Sequence, residues 1–179
     1  MYNSDKMSMM QISTRGRYAV RAMVDLALHS DGTPVPRQGI AERQGISADY
    51  MAHLFRDLQE AGLVASQTGP GGGYRLAKPA EQITVAAILQ AVEGPLAVVS
   101  CVQVEKSAEM ISDEQKRTLR KERSVLPEKE NAENSCPLGL FPAKQCVTHQ
   151  LWRELTSVMR QFLTSVTLED LCVRARDLN

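Results

Sequence analysis

The sequence predicts a mainly α-helical fold with one small β-hairpin, organised as a winged helix-turn-helix domain followed by a long C-terminal dimerisation helix. Three observations predict it. Only 4% of the 179 residues are aromatic while 43% are apolar, so the core must be built from aliphatic side chains packed between helices. The N-terminal half runs in the order amphipathic stretch, short helical stretch, glycine, capped helix and glycine-rich hairpin. Near the C-terminus Leu151, Leu155, Val158 and Phe162 recur at steps of four, three and four residues, the seam by which one helix pairs with an identical one.

Residues 1–10 are rich in Met and Ser, lack any period, and read as a disordered leader. The winged domain is expected over 11–80. Its first helix spans Thr14 to Leu28, with Tyr18, Ala19, Ala22, Met23, Leu26 and Ala27 at three- and four-residue steps, and Asp31-Gly32-Thr33-Pro34 ends it. A short second helix, Arg37 to Gln44, turns Ile40 and Ala41 inward; Gly45 then allows a sharp left-handed turn. Ser47 caps the third helix, Asp49 sits in its first turn where a negative charge suits the helix dipole, and Met51, Leu54, Phe55 and Leu58 form its buried face. Ser47, Ala48, Asp49, Ala52, His53 and Arg56 remain for solvent or a partner.

Gly62 stops that helix. Leu63 to Gln67 and Tyr74 to Leu76 then read as two short strands joined by Thr68-Gly69-Pro70-Gly71-Gly72-Gly73. A connecting helix, Thr84 to Val92, lies within 81–100 and is closed by Gly94-Pro95. A loop over 101–147 contains a charged insertion, 102–135, poor in large apolar residues, with a fragile helix near Ser112 to Arg123. The region 148–179 holds the dimerisation helix, Thr148 to Val166 and about 28 Å long at the usual rise, and a last helix, Leu168 to Ala175, that folds back on the first.

In a winged helix-turn-helix the third helix enters the major groove of DNA and the hairpin reaches the backbone or minor groove. That order nominates Ser47, Asp49, Tyr50, His53 and Arg56 on the third helix, Arg15, Arg17 and Arg37 beside it, and Thr68, Gly69, Gly71 and Gly72 in the wing. Overall charge is balanced, 21 basic against 21 acidic residues, but residues 11–79 carry eight Lys/Arg against six Asp/Glu. So small a surplus holds DNA poorly in one copy, and a DNA-binding role requires a homodimer, expected through the 148–166 helix, to double the phosphate contacts. A double-stranded DNA operator is the expected partner.

No stretch is long and apolar enough to span a membrane, and no secretion signal is evident, so the chain is expected to be cytoplasmic and free of membrane. Thiols stay reduced there, and the four cysteines are expected to be free or metal-bound. Cys136, Cys146 and His149 follow the pattern C-x9-C-x2-H, with Cys101 upstream. Three thiolates and one imidazole suit either an iron–sulfur cluster or zinc, between which spacing does not choose. Cys172, among Leu168, Leu171 and Val173, is read as a packing residue. An enzyme is not expected: Gly69 to Gly73 lacks a following helix and a Lys-Ser/Thr ending, and Cys146 with His149 lacks an orienting carboxylate.

Three runs, Ser13-Thr14-Arg15-Gly16-Arg17-Tyr18-Ala19-Val20, Ile40-Ala41-Glu42-Arg43-Gln44-Gly45-Ile46-Ser47 and Gly69-Pro70-Gly71-Gly72-Gly73-Tyr74, resemble the IscR, NsrR and CymR family of bacterial winged-helix regulators. The run Cys146-Val147-Thr148-His149-Gln150-Leu151-Trp152 is most similar to its IscR branch. The resemblance implies a dimeric repressor or activator that senses a [2Fe-2S] cluster held by Cys101, Cys136, Cys146 and His149 and controls cluster-assembly or related stress genes. The chain departs from the family pattern at the 102–135 insertion, at Thr68 where the family has an arginine before the wing glycines, at Ala52 where it has a glutamate, and at Asp49 where it has a second serine. An aspartate near base edges accepts from cytosine, so a different operator sequence is expected. The alternatives are a zinc site, a thiol switch responding to oxidants or nitric oxide, or a winged helix that contacts protein instead of DNA.

Overall fold

The computed structural model describes residues 12–30, 32–99, 102 and 146–178. The insertion, apart from Val102, lies outside these, as do the leader, Asp31, Cys101 and Cys136. Among the described residues the order is α1 (Thr14–His29), α2 (Arg37–Gln44), α3 (Ala48–Glu60), β1 (Val64–Gln67), β2 (Gly73–Leu76), a 3-10 turn (Ala80–Gln82), α4 (Val85–Glu93), α5 (Val147–Ser165) and α6 (Leu168–Asp177). The architecture is the predicted one, mainly helical with a small antiparallel hairpin. The chain divides into two compact units, one holding Met1–Leu96 with Met159–Asn179 and the other Ala97–Val158.

In the first unit, α1 begins at Ser13, whose Oγ accepts the Gly16 N–H at 3.1 Å and donates to Glu93 Oε1 at 2.9 Å. Gly16 leaves room for the Glu93 carboxylate beside this start, since a Cβ there would crowd Glu93 Oε1 and Leu89 Cδ2 and oblige those side chains to move. Ala19, Ala22, Met23 and Leu26 are buried as the periodicity predicts, whereas Tyr18 and Ala27 are only half-buried.

The turn from α2 to α3 follows from Gly45 in the left-handed region (φ 66°), with the Ile46 N–H returning to the Ala41 carbonyl at 3.0 Å. Ser47 then caps α3 by accepting the Tyr50 N–H at 3.1 Å. Met51, Leu54, Phe55 and Leu58 are buried, which leaves the opposite face of the helix outward.

A feature that the sequence does not announce ties α1 to α2. Asp25, in the apolar-facing part of α1, is buried, and its carboxylate receives Arg43 Nε at 3.0 Å on both oxygens, Arg43 Nη2 at 2.6 Å and Gln44 Nε2 at 2.9 Å. A bidentate guanidinium and an amide compensate the desolvation of the charge. The same hydrogen bonds push the Arg43 guanidinium further up from its ordinary value.

The hairpin pairs Val64 with Leu76, Ala65 with Arg75, Ser66 with Tyr74 and Gln67 with Gly73. Val35 adds a third edge, exchanging two backbone hydrogen bonds of 2.8 and 2.9 Å with Tyr74. Gly73 permits this approach, because a Cβ there would lie 2.2 Å from the Val35 carbonyl oxygen. The Phe55 ring of α3 meets Tyr74 of β2 with centroids 4.4 Å apart, so the inner face of α3 is fastened to the hairpin.

The C-terminal elements of this unit close with a reciprocal pair of bonds. The Val85 N–H, at the start of α4, donates to the Val166 carbonyl at 2.9 Å, and the Leu168 N–H, at the start of α6, donates to the Ile83 carbonyl at 2.7 Å. Two donors that a helix leaves unsatisfied at its first turn are thereby used. Thr84 is the N-cap of α4 and not a residue of its first turn, and Thr167 caps α6 in a capping box with Asp170. The Thr167 backbone N–H and then its hydroxyl hold the Asp170 carboxyl below the usual carboxylate range. Helix α6 lies against α1, as predicted, with Leu168 and Cys172 fully buried in the shared core.

In the second unit the Val98 N–H donates to Thr156 Oγ1 of α5 at 3.3 Å, Val102 is buried, and its N–H reaches the Val99 carbonyl at 3.2 Å. Among the described residues no helix is long and apolar enough to cross a membrane.

Candidate nucleic-acid interface and metal centre

The outward face of α3 gathers several of the residues nominated for DNA. Arg15 of α1 and Tyr50, His53 and Arg56 of α3 line one surface pocket together with Leu54. Tyr50 is half-buried and edge-on to Tyr18, with centroids 6.1 Å apart at 82°, while Arg21 stands over the Tyr18 ring at 5.6 Å. Tyr50 is therefore held as a wall of the pocket, and His53 and Arg56 stand exposed beside it. Ser47 and Asp49 are exposed at the N-terminal end of the same helix, the end that enters a groove first in this class of fold.

Arg17 is exposed and its Nη2 reaches Thr14 Oγ1 at 3.2 Å; Arg37 is exposed in the first turn of α2. Thr68, Gly69 and Gly71 are exposed at the hairpin tip, where Gly69 (φ 104°) and Gly71 (φ 75°) adopt backbone angles that side chains resist. Gly72 is half-buried and its N–H closes the tip on the Gly69 carbonyl at 2.9 Å. A Cβ on Gly72 would stand 2.3 Å from the Gln67 carbonyl, so this position shapes the wing.

Arg15 is not a free cation. Its guanidinium donates to Asp57 of α3, and Arg56 Nε lies 4.0 Å from the other carboxylate oxygen. The sequence pattern does not single out Asp57. Its signal was present, because 50, 53 or 54, and 57 fall on one side of a helix, but which cation it meets depends on how α1 crosses α3.

At the other candidate site, Cys146 immediately precedes α5 and His149 lies in its first turn, three residues on and therefore on the same side of the helix. The Cys146 sulfur is 3.1 Å from Thr148 Oγ1. That contact, followed by the backbone N–H of His149, holds the Cys146 thiol below its ordinary value, as expected of a sulfur at a helix N-terminus. His149 is buried, with 9% of its surface exposed. A thiol biased toward thiolate and an imidazole shielded from water are the donor chemistry that soft metal centres take. Cys101 and Cys136 lie outside the described residues, and among the described residues no three His, Cys, Asp or Glu side chains converge. Cys172 is the opposite case: fully buried, with burial pushing its thiol up.

Residues 12–126 match the Rrf2 family, described as an iron-dependent transcriptional regulator. The chain is 38% identical over 162 residues to the HTH-type transcriptional regulator IscR of Vibrio cholerae, covering 90% of this chain and 75% of that one. It is 37% identical over 170 residues to IscR of Pectobacterium atrosepticum, covering 95% and 84%. Among solved structures it is similar to T. potens IscR, with a TM-score of 0.63 and 29% identity over 95% of this chain and 91% of that one. It is also similar to CymR, the global cysteine regulator of B. subtilis, with a TM-score of 0.61 and 28% identity over 93% and 98%. With the winged fold, the outward face of α3 and a family match over more than half its length, the chain belongs to the Rrf2 family and is a helix-turn-helix transcriptional regulator of the IscR type.

Proposed function

We propose that this regulator binds an operator as a homodimer and that its affinity is set by an iron–sulfur cluster of the [2Fe-2S] type held by Cys101, Cys136, Cys146 and His149. The observation that supports the reading is the placement of Cys146 and His149 three residues apart at the start of α5, the thiol held below its ordinary value and the imidazole shielded from water. When bound, the cluster supplies an iron centre whose retention and redox state respond to iron, sulfide and oxidants. Thr148 and the His149 N–H favour the charged form of the Cys146 sulfur, and burial of His149 shields its ring from water. On the DNA side, Arg15, Arg17, Arg37 and Arg56 take phosphates, Ser47, Asp49, Tyr50 and His53 meet base edges, and Thr68, Gly69, Gly71 and Gly72 form the wing contact.

Coupling between the two sites is mutual, so operator DNA changes cluster retention by the same factor that the cluster changes DNA affinity. The test is anaerobic reconstitution with iron and sulfide, visible absorbance, and titration of a duplex enriched from a random library by the reconstituted protein. A coloured protein whose affinity differs from the metal-free form is expected. A colourless protein that binds the duplex unchanged refutes cluster sensing, and one equivalent of zinc with no sulfide selects the zinc alternative.

The dimer reading rests on α5, where Leu151, Val158 and Phe162 are 53%, 64% and 63% exposed within the single chain. An apolar seam left this open on one helix is what an identical helix covers. Changing Val158 or Phe162 to aspartate is expected to weaken self-association by about 30-fold or more, the scale of a central interface residue. Sedimentation velocity of the variants measures it, and an unchanged dimer mass refutes the seam.

A further inference from the structure

An acid stands inside the face just assigned to phosphate. Asp57 lies one turn beyond His53 on α3; its side chain is 18% exposed, and it receives the Arg15 guanidinium on one oxygen and faces Arg56 Nε at 4.0 Å with the other. These two arginines line the pocket with Tyr50, His53 and Leu54. Both arginines of the pocket, Arg15 and Arg56, thus face the single Asp57 carboxylate. Part of the positive charge assigned to phosphate is met by the protein's own carboxylate.

We propose that Asp57 is a restraining residue of the DNA-binding face: it holds the Arg15 guanidinium within the protein and so lowers affinity for DNA of any sequence, leaving occupancy to sequences that add base contacts. The inference rests on the reading of Arg15 and Arg56 as phosphate contacts. Affinity for random duplex is set by how many phosphates are neutralised, because each neutralisation releases condensed counterions. A cation already paired must exchange one anion for another, with the displaced carboxylate left facing the phosphates. Base contacts from α3 are made only on the right sequence, and there they add to the same reduced electrostatic attraction. Withholding one cation therefore lowers random and operator binding by the same factor, and only sequences that add base-edge contacts remain tight enough to be occupied.

The experiment uses the full chain and two probes: a short random-sequence duplex, and a duplex enriched from a random library by the unmodified protein. Asp57→Asn keeps the shape of the side chain and removes its charge. It is expected to tighten binding to the random duplex by about two- to five-fold per domain, the range of a surface ion pair. The slope of log affinity against log salt is expected to steepen by about 0.9 per domain, because each released Arg15 neutralises one more phosphate. Asp57→Glu keeps the charge and is expected to keep the original slope. In an Arg15→Gln background, adding Asp57→Asn is expected to leave the slope at the Arg15→Gln value and to tighten binding by less than in the unmodified chain, since only the carboxylate's own repulsion of phosphate and its approach to Arg56 remain to be lost.

A steepened slope, or tightening of the full size, in the Arg15→Gln background would mean a general charge effect and overturns the proposal, as does weaker binding by Asp57→Asn. If Arg15→Gln alone leaves random-duplex binding unchanged, the phosphate assignment fails first and the proposal with it. If Arg15→Gln weakens binding but Asp57→Asn does nothing, the assignment stands and the proposal alone falls.

Discussion

Serine in place of Cys146 is expected to leave a folded chain that no longer retains iron or acid-labile sulfide. The oxygen occupies nearly the same space, Cys146 is only half-buried just before α5, and no core contact is lost. A hydroxyl, however, does not ionise near neutral pH, so the donor that Thr148 and the His149 N–H keep biased toward thiolate disappears. Loss of a group that merely supports a metal ligand costs about 10- to 100-fold in affinity, and removal of a ligand itself should exceed that. Iron and sulfide analysis of anaerobically purified protein, alongside far-ultraviolet circular dichroism, measures the effect. Cys172→Ser is the matched comparison. That thiol is fully buried beside Leu168, and its replacement puts a hydroxyl into an apolar site at about 1–3 kcal/mol, with iron content unchanged. Equal iron in Cys146→Ser and the unmodified chain would remove Cys146 from the centre.

Phe55→Ala is expected to destabilise the winged unit by about 3–5 kcal/mol, the usual range for emptying a buried aromatic site. Phe55 is fully buried on the inner face of α3 and its ring meets Tyr74 of the hairpin at 4.4 Å between centroids. Aromatic pairing adds about 0.5–1.5 kcal/mol to the area lost. Against a total stability of about 5–15 kcal/mol this is a large share. The cavity would open where α3 is fixed to β2, so DNA affinity should fall with stability although no DNA-facing atom is removed. Denaturant titration gives the first quantity, and a loss below about 1 kcal/mol would show that the site collapses and refills.

The contrast between these two residues reflects what a linear pattern carries. Phe55 was legible as core because Met51, Leu54, Phe55 and Leu58 share a helical face, and that period is a property of neighbours in the chain. Ser47 as the cap of α3 and Gly45 as the turn before it were legible for the same reason, since each acts within a few residues of itself. Helix ends were the weaker part: α5 begins at Val147, and Thr84 caps α4 from outside, because a terminus is decided by which backbone groups find other partners.

Cys146 and His149 were legible as a candidate pair from spacing alone, and what the fold adds is local: the depressed thiol and the shielded ring at the start of α5. The other two nominated ligands and the charged insertion, Val102 aside, fall outside the described residues. The contact of Val35 with Tyr74, the burial of Asp25 under Arg43 and Gln44, and the capture of Arg15 by Asp57 were not legible. Each joins residues from different elements, and no local period encodes which acid a given cation will meet.

By itself, then, the sequence determined the succession of helices and hairpin, the apolar face of each, the exposed seam of α5 and the residue types available for DNA and for a metal. Tertiary structure decided which charges cancel. Hydrophobic periodicity acts through steps of three and four residues along one helix, whereas ion pairs and backbone bridges depend on the angle and distance at which separate helices cross, and these are settled only when the whole core packs.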